Sequence, residues 1–132
     1  MELQVGVKVL LKNREGKYLL MRRSPYEERG VGKWDIAGGR IEKGTEMMDN
    51  LAREVMEETG LTMKTAPKLL AAQDIIWSDR HVVRITYVAD VDGEPTLSRE
   101  HSEYGWFTFD DMRTLDNMDD YLKVLLDNGT IS

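Results

Sequence analysis

The sequence predicts a single α/β domain over residues 1–132, in which a mixed β-sheet lies between helices as an α/β/α sandwich. Three observations support this fold class. The chain has the length of one domain with its own core. Of its residues, 41% are hydrophobic and 32% are charged, as in soluble globular proteins. Its apolar patterns follow one another in the order strands, helix, strands, helix.

The part of the chain before the first helix predicts three strands. Residues 3–11 alternate between apolar and mostly polar side chains, which is typical of a half-buried strand. The turn sequence at 13–16 leads into a second strand over 17–22, so a hairpin is predicted. A polar loop over 24–33 then precedes a short strand at 34–37.

A helix is predicted from about residue 46 to residue 59. Thr45 is a good N-cap, and Gly60 can end the helix in the left-handed conformation. Apolar residues recur at helical spacing and predict one stripe that faces the core. This stripe consists of Met48, Leu51, Ala52, Val55 and Thr59.

The second half of the chain predicts two long strands, near residues 68–77 and 82–91, joined by a short turn. After a further loop, a short strand is predicted at 106–108. A last helix is predicted near 117–127. The residues expected to face inward from this helix are Met118, Leu122 and Leu125.

Charge, cysteine content and hydropathy narrow the possible functions. The net charge of −6 argues against non-specific binding to a nucleic-acid backbone. The absence of cysteine excludes disulfides and thiolate metal sites, and it fits a reducing cytoplasm, where we expect the protein. No apolar run approaches the length needed to span a bilayer, so no membrane partner is expected.

The first helix carries three carboxylates on one face. Glu54, Glu57 and Glu58 stand at positions i, i+3 and i+4. Neighbouring anions repel one another and raise each other's pKa unless a cation lies nearby. Because hard divalent cations prefer oxygen ligands, this face predicts a Mg²⁺ site, with Mn²⁺ as the alternative ion. The competing interpretation is a solvated helix face held by ion pairs such as Arg53 with Glu57.

The residues around these glutamates resemble the signature of the Nudix, or MutT-like, hydrolases. That signature reads G-x5-E-x7-R-E-U-x-E-E-x-G-U, where U is apolar. Here it runs from Gly39 to Leu61, and one defined position differs, since Thr45 followed by Glu46 replaces the first glutamate. The resemblance implies the Nudix fold, which is an α/β/α sandwich. It also implies Mg²⁺-dependent hydrolysis of the pyrophosphate linkage of a nucleoside diphosphate derivative.

The resemblance further implies roles for individual residues. Glu54, Glu57 and Glu58 are expected to be metal ligands together with the backbone carbonyl of Gly38, and one glutamate is expected to act on the attacking water. Arg53 is expected to orient a glutamate. These five residues form the predicted centre of the site.

The general base has two sources in this family, which are a glutamate of the signature or a glutamate from a loop before a later strand. Residues 99–106, REHSEYGW, resemble that loop. Glu100 and Glu103 are both candidates that the sequence does not separate, and Glu103 is carried in the expected catalytic set. His101 has a suitable unperturbed pKa, but a single histidine in a polar loop is more often structural, so it is left out of the expected chemistry.

Four residues are candidates for binding substrate. Arg22, Arg23 and Arg40 lie near strand ends and the glycine turn, where guanidinium groups can hold phosphates. Trp77 can stack on a base, although a tryptophan in a strand is more often part of the core.

The best single expectation is a nucleoside triphosphate pyrophosphohydrolase that releases a nucleoside monophosphate and pyrophosphate. A dinucleoside polyphosphate or nucleotide-sugar hydrolase is the alternative within the family. A non-catalytic nucleotide-binding domain is the other alternative, because Thr45 lacks the charge of the usual glutamate. The expected partner is a small nucleotide, and the family resemblance leaves a homodimer open.

Overall fold

A mixed β-sheet with helices on both faces forms the framework of the chain. The computed structural model describes residues 1–27 and 29–132, and Glu28, within the predicted polar loop, lies outside the described residues. The strands described are β1 (Glu2–Lys12), β2 (Tyr18–Arg23), β3 (Trp34–Asp35), β4 (Ala37–Arg40), β5 (Lys68–Ile76), β6 (Arg80–Asp90) and β7 (His101–Phe107). The helices described are α1 (Met47–Thr59), α2 (Phe109–Arg113) and α3 (Asp120–Asp127). The predicted α/β class and sandwich are confirmed.

The strand order explains why the sheet is mixed. Along its main path the order is β3-β2-β1-β6-β5, while β4 pairs with β1 and β7 pairs with β2. β1 and β6 are parallel, and the other pairs are antiparallel. None of the described helices has the length and apolar character needed to cross a membrane.

β1 lies at the centre of the sheet and separates two hydrophobic cores. Val7 and Val9 belong to the core under α1, whereas Leu10 belongs to the core under α2 and α3. All three are fully buried, so the prediction of a half-buried strand is wrong for the middle of β1. The reason is that helices cover both faces there. Lys8, which gave the pattern its polar position, is itself held in a buried ion pair with Asp35.

The first helix is rotated relative to the predicted stripe. Leu51, Val55 and Thr59 are buried as expected, but Met48 and Ala52 are exposed. Their places on the buried face are taken by two polar residues, Asn50 and Glu58. Asn50 ties the helix to the preceding loop, because it donates to Arg40 O at 3.1 Å and accepts from Glu42 N at 3.2 Å. The helix is therefore positioned partly by polar contacts, which an apolar pattern does not predict.

The ends of α1 were predicted with partial success. Gly60 ends the helix in the left-handed conformation, with φ of 69°. The N-cap is Glu46 rather than Thr45, and no side chain accepts a capping hydrogen bond there. The side chain of Asn50 instead connects the first turn of the helix to the preceding loop.

Four further elements differ from prediction. β7 begins at His101 rather than at residue 106, because its polar first half also pairs with β2. Most side chains of this half are exposed. α2 was not predicted, and a capping box at Thr108 and Asp111 starts it. α3 begins at Asp120 rather than near 117, because the Asp119 side chain accepts from the first backbone N–H groups of the helix. The predicted strand at 34–37 is interrupted at Ile36.

Candidate active site

A cleft of about 720 Å³ lies where β1, β4, β6, α1 and the start of α3 meet. Several predicted site residues line this cleft. They are Gly38, Glu54, Glu58, Arg23, Arg40 and Trp77. Glu57, Arg22 and Glu103 do not line it. The structure thus brings together only part of the predicted set.

Glu58 is held inside the molecule by β4. Its side chain points from the C-terminal part of α1 to Gly38, whose N–H donates to Glu58 Oε2 at 2.9 Å, and the residue is only 4% exposed. Gly38 has φ of 131°, and a Cβ atom there would collide with the carbonyl oxygen of Val7. Glycine is therefore required at this position for β4 to approach both β1 and the carboxylate.

Glu54 lies one helical turn before Glu58 and packs beside the second glycine. A Cβ on Gly39 would stand 3.0 Å from the Glu54 carboxylate, so the glycine leaves room for it. Burial raises the pKa of Glu54, and the nearby Glu57 and Glu100 raise it further, whereas Arg53 opposes the shift.

The buried carboxylate of Glu58 has more negative than positive charge around it. Burial raises the pKa of Glu58 to about 8, Glu54 and Glu100 add repulsion, and Lys8 offsets only part of it. Lys8 is shared with other acceptors, since its Nζ lies 3.3 Å from Asp35 Oδ2 and 3.4 Å from Gly38 O. A group of carboxylate and carbonyl oxygens with too little positive charge fits the donor set of a divalent cation such as Mg²⁺.

Glu100, from the loop before β7, and His101, the first residue of β7, lie beside Glu58. One ligand atom each from Glu58, Glu100 and His101 lies within 4.8 Å of the others. Glu103 is half exposed and accepts from Arg22 Nη1 at 3.0 Å. The register of β7 with β2 explains the difference, because Arg22 pairs with Glu103, and a shift in the ladder then sets His101 opposite Arg23. Glu100, rather than Glu103, is the carboxylate of this segment that lies near Glu58, and the role expected for Glu103 stays a prediction.

His101 occupies a buried position that its sequence context did not suggest. Its residue is 6% exposed, and its Nδ1 atom has no hydrogen-bond partner among the described residues. Burial lowers the pKa of His101 to about 4, with Lys8 and Arg23 adding to the shift, so the imidazole is neutral at pH 7.

Arg53 connects the carboxylates of α1. Its Nη1 donates to both oxygens of Glu57, at 3.1 and 3.2 Å, and its Nη2 lies 3.0 Å from Asn50 Oδ1 and 3.4 Å from Glu54 Oε1. Glu57, with 57% of its side chain exposed, faces solvent and this arginine. The ion pair of the competing sequence interpretation is therefore present, but it involves only one of the three glutamates closely.

The predicted phosphate-binding arginines separate into two groups. Arg23 and Arg40 line the cleft. Arg22 is held outside it, because its Nε donates to Gly32 O at 2.9 Å and its Nη1 pairs with Glu103. The alternation of side chains along β2 accounts for this, since neighbouring residues of a strand point to opposite faces.

Trp77 lies at the cleft, where β5 turns into β6. Its ring has the Arg29 guanidinium carbon 4.1 Å from its centroid and that of Arg80 at 5.5 Å. The tryptophan is thus partly exposed at a cationic surface rather than buried in the core.

A buried chain of charges was missed by the sequence interpretation. Lys8, Asp35, Arg84 and Asp119 are linked in that order by contacts of 3.3, 3.1 and 3.2 Å, and Arg84 is only 5% exposed. Burial alone would raise the pKa of Asp35, but Lys8 and Arg84 hold it well below its usual range. Each of these polar residues adjoins an apolar neighbour, as a solvent-facing residue of an alternating strand also does, so the sequence carries no signal that separates them.

Comparisons with known proteins agree with this fold. The family model of the NUDIX domain matches residues 2–127. The chain is 32% identical over 114 residues to nucleoside triphosphatase NudI of Enterobacter sp. (strain 638), covering 76% of this chain and 79% of the relative. It is 31% identical over 83 residues to the oxidized purine nucleoside triphosphate hydrolase of Mus musculus, covering 61% and 53%. Among solved structures, the MutT protein from Methanosarcina mazei Go1 superposes with a TM-score of 0.87 at 29% identity, covering 96% and 92%.

Proposed function

Because this chain belongs to the Nudix family of hydrolases, which act on phosphoric anhydrides, we propose that it hydrolyses a nucleoside triphosphate to a nucleoside monophosphate and pyrophosphate with the help of Mg²⁺. The similarity to NudI and to the mouse hydrolase, both named for nucleoside triphosphates, supports this substrate class. Mn²⁺ is the alternative ion.

The observation that carries the proposal is the buried, under-neutralised carboxylate of Glu58. Burying a carboxylate costs free energy unless an opposite charge or hydrogen bonds compensate. Gly38 N–H and the shared Lys8 provide partial compensation, yet Glu54 and Glu100 increase the negative charge. Such an arrangement is costly for folding and is useful if a divalent cation completes it.

We assign Glu54, Glu58 and the carbonyl of Gly38 as residues that would hold the cation. When bound, a divalent cation neutralises charge on phosphate oxygens and makes water a better nucleophile. Glu57 contributes indirectly, since it shares Arg53 with Glu54. We assign Arg53 as the residue that orients Glu54.

We assign Glu54 as the general base that accepts a proton from the attacking water. Its Oε1 faces Arg53 at 3.4 Å, and we assign Oε2 as the proton acceptor. Burial raises the pKa of Glu54, which favours proton transfer near neutral pH. Glu103 is not assigned this role, because it pairs with Arg22 and does not line the cleft.

Substrate binding is assigned to the cationic residues and the tryptophan of the cleft. Arg23, Arg40 and Trp77 line the cleft, where the arginines would hold phosphate oxygens and the tryptophan would stack on the base. Stacking on Trp77 would replace the contact of Arg29 with the same ring. The net charge of −6 does not exclude a polyanionic substrate, because a bound cation and the cleft arginines would neutralise phosphate oxygens.

The substitution of threonine at position 45 does not by itself favour a non-catalytic domain. Glu42 Oε1 lies 3.7 Å from Arg53 Nη2, so a carboxylate still reaches the arginine from the loop that contains Thr45. This contact supports catalysis over binding without turnover.

The proposal is tested by incubating the protein with Mg²⁺ and a panel of nucleoside triphosphates, oxidised purine triphosphates, dinucleoside polyphosphates and nucleotide sugars. We expect monophosphate and pyrophosphate from a triphosphate, and a rate lower by about 100-fold or more from the Glu58→Gln variant. Asp49→Asn is the matched control, because Asp49 is an exposed acid in the first turn of the same helix, and it should retain activity. Turnover by Glu58→Gln at the unsubstituted rate would refute the site assignment. If no member of the panel is cleaved, the binding alternative gains support.

A further inference from the structure

A nitrogen donor lies next to two carboxylates at the edge of the candidate site. One ligand atom from each of Glu58, Glu100 and His101 lies within 4.8 Å of the other two. Metal–ligand distances for oxygen and nitrogen are about 2.0–2.2 Å, so two ligands of one ion are at most about 4.4 Å apart. Small side-chain rotations would therefore bring the three groups around a single ion.

A second observation makes His101 more than a neighbour of acidic residues. Its ring is buried, and Nδ1 has no hydrogen-bond partner among residues 1–27 and 29–132. Buried polar atoms are nearly always paired, because leaving one unpaired costs free energy. An imidazole that has one unpaired ring nitrogen and lies beside two carboxylates is suited to binding a cation.

The backbone holds His101 in this place. The residue opens β7 opposite Arg23 of β2, after the register shift, and its N–H donates to Ser98 O at 3.3 Å. A side chain fixed by the sheet loses little conformational freedom when it binds an ion, which favours binding.

We propose that His101 supplies a nitrogen ligand to a divalent cation held together with Glu58 and Glu100. This inference rests on the proposed function, and it adds a cation position with a different donor set from that of Glu54, Glu58 and Gly38. Imidazole favours transition-metal ions over Mg²⁺, which prefers oxygen donors throughout. This position is therefore selective for Mn²⁺ or Co²⁺ over Mg²⁺.

The proposal is tested on the full chain with Mn²⁺ and no nucleotide, by electron spin echo envelope modulation, which detects nitrogen bound to the ion. The chain has two histidines, so labelling histidine with ¹⁵N shifts the modulation if either one is a ligand. His81→Gln is the matched control. His81 lies on β6, pairs with Asp74 of β5 at 2.7 Å, and does not line the cleft.

We expect histidine nitrogen modulation in the unsubstituted protein and in His81→Gln, and none in His101→Gln. The dissociation constant for Mn²⁺ should rise about 10-fold or more in His101→Gln, with a smaller change for Mg²⁺. In labelled His81→Gln, His101 is the one histidine left in the sequence, so this variant decides the question even if His101→Gln does not fold.

Three results would overturn the proposal. They are Mn²⁺ binding without ¹⁵N-sensitive modulation, modulation that survives His101→Gln, and modulation that disappears in His81→Gln. Hydrolysis of a triphosphate by the same sample separates this failure from failure of the proposed function, because the spectra do not depend on turnover.

Discussion

Glu57 and Glu58 are adjacent in sequence and have opposite surroundings. Successive residues of a helix point about 100° apart, so Glu58 turns toward Gly38 while Glu57 turns toward solvent and Arg53. The signature treats the two as equivalent, and the packing of α1 against β4 separates them. Removing the charge of Glu57 affects an exposed side chain. Removing the charge of Glu58 changes a buried cluster of carboxylates.

The first prediction compares the two substitutions. Glu58→Gln should lower kcat/KM for the preferred triphosphate by about 100-fold or more, because it removes a buried donor oxygen of the cation site. Glu57→Gln should lower it by less than about 10-fold, since it removes an exposed contact with Arg53. Steady-state kinetics at saturating Mg²⁺ would measure both. An equal or larger loss in Glu57→Gln would contradict the assignment.

At the scale of elements, the site depends on strand register. The signature predicted α1 and the glycine pair that precedes it, and the structure brings Gly38, Glu54 and Glu58 to the same cleft. The sequence could not predict whether Glu100 or Glu103 lies near the glutamates of α1. That placement depends on the pairing of β7 with β2 and on the register shift beside Arg23. Pairing between distant strands leaves no local signal in either segment.

β4 gives the second prediction, through Gly38. Gly38→Ala should lower the free energy of unfolding by about 3 kcal/mol or more, because the backbone adopts a positive φ and the new Cβ meets Val7. Gly44→Ala is the matched control, since Gly44 also has a positive φ but has open space around it. It should lose only about 1–2 kcal/mol. Urea denaturation measures both, and equal losses would show that the contact with β1 is unimportant.

At the scale of the whole molecule, β1 divides two hydrophobic cores, and the buried charges run between β1, β3, β6 and the start of α3. The alternating pattern predicted the sheet and its layers. It could not predict the charge chain, because a polar residue in a strand normally indicates a solvent-facing position. Arg84 is buried between Asp35 and Asp119, and the largely buried Lys8 also pairs with Asp35, so opposite charges compensate both cations.

The third prediction concerns acid stability. The pKa of Asp35 is depressed in the folded state, so its ionised form contributes stability at every pH above its unfolded pKa, near 3.8. That contribution should be lost progressively as the pH falls below about 4, because the unfolded chain then binds a proton that the folded protein does not.

Asp35→Asn should have a lower free energy of unfolding at pH 7, by about 3–5 kcal/mol, because Lys8 and Arg84 lose their common partner. It should also show a weaker dependence on pH between 4 and 2 than the unsubstituted protein. Urea titrations across this range measure both slopes, and identical slopes would contradict the prediction.

The parallel pairing of β1 with β6 affects how the protein is made. Glu2 pairs with Arg80 and Lys12 with Asp90. One edge of β1 is therefore unpaired until β6, which is synthesised much later, is available. During that interval its backbone groups and the adjoining apolar side chains are open to other chains, which favours aggregation. Slow, long-range closure of this kind is typical of sheets whose neighbours are distant in sequence. The chain is therefore most vulnerable on the ribosome until β6 has emerged and can fold onto β1.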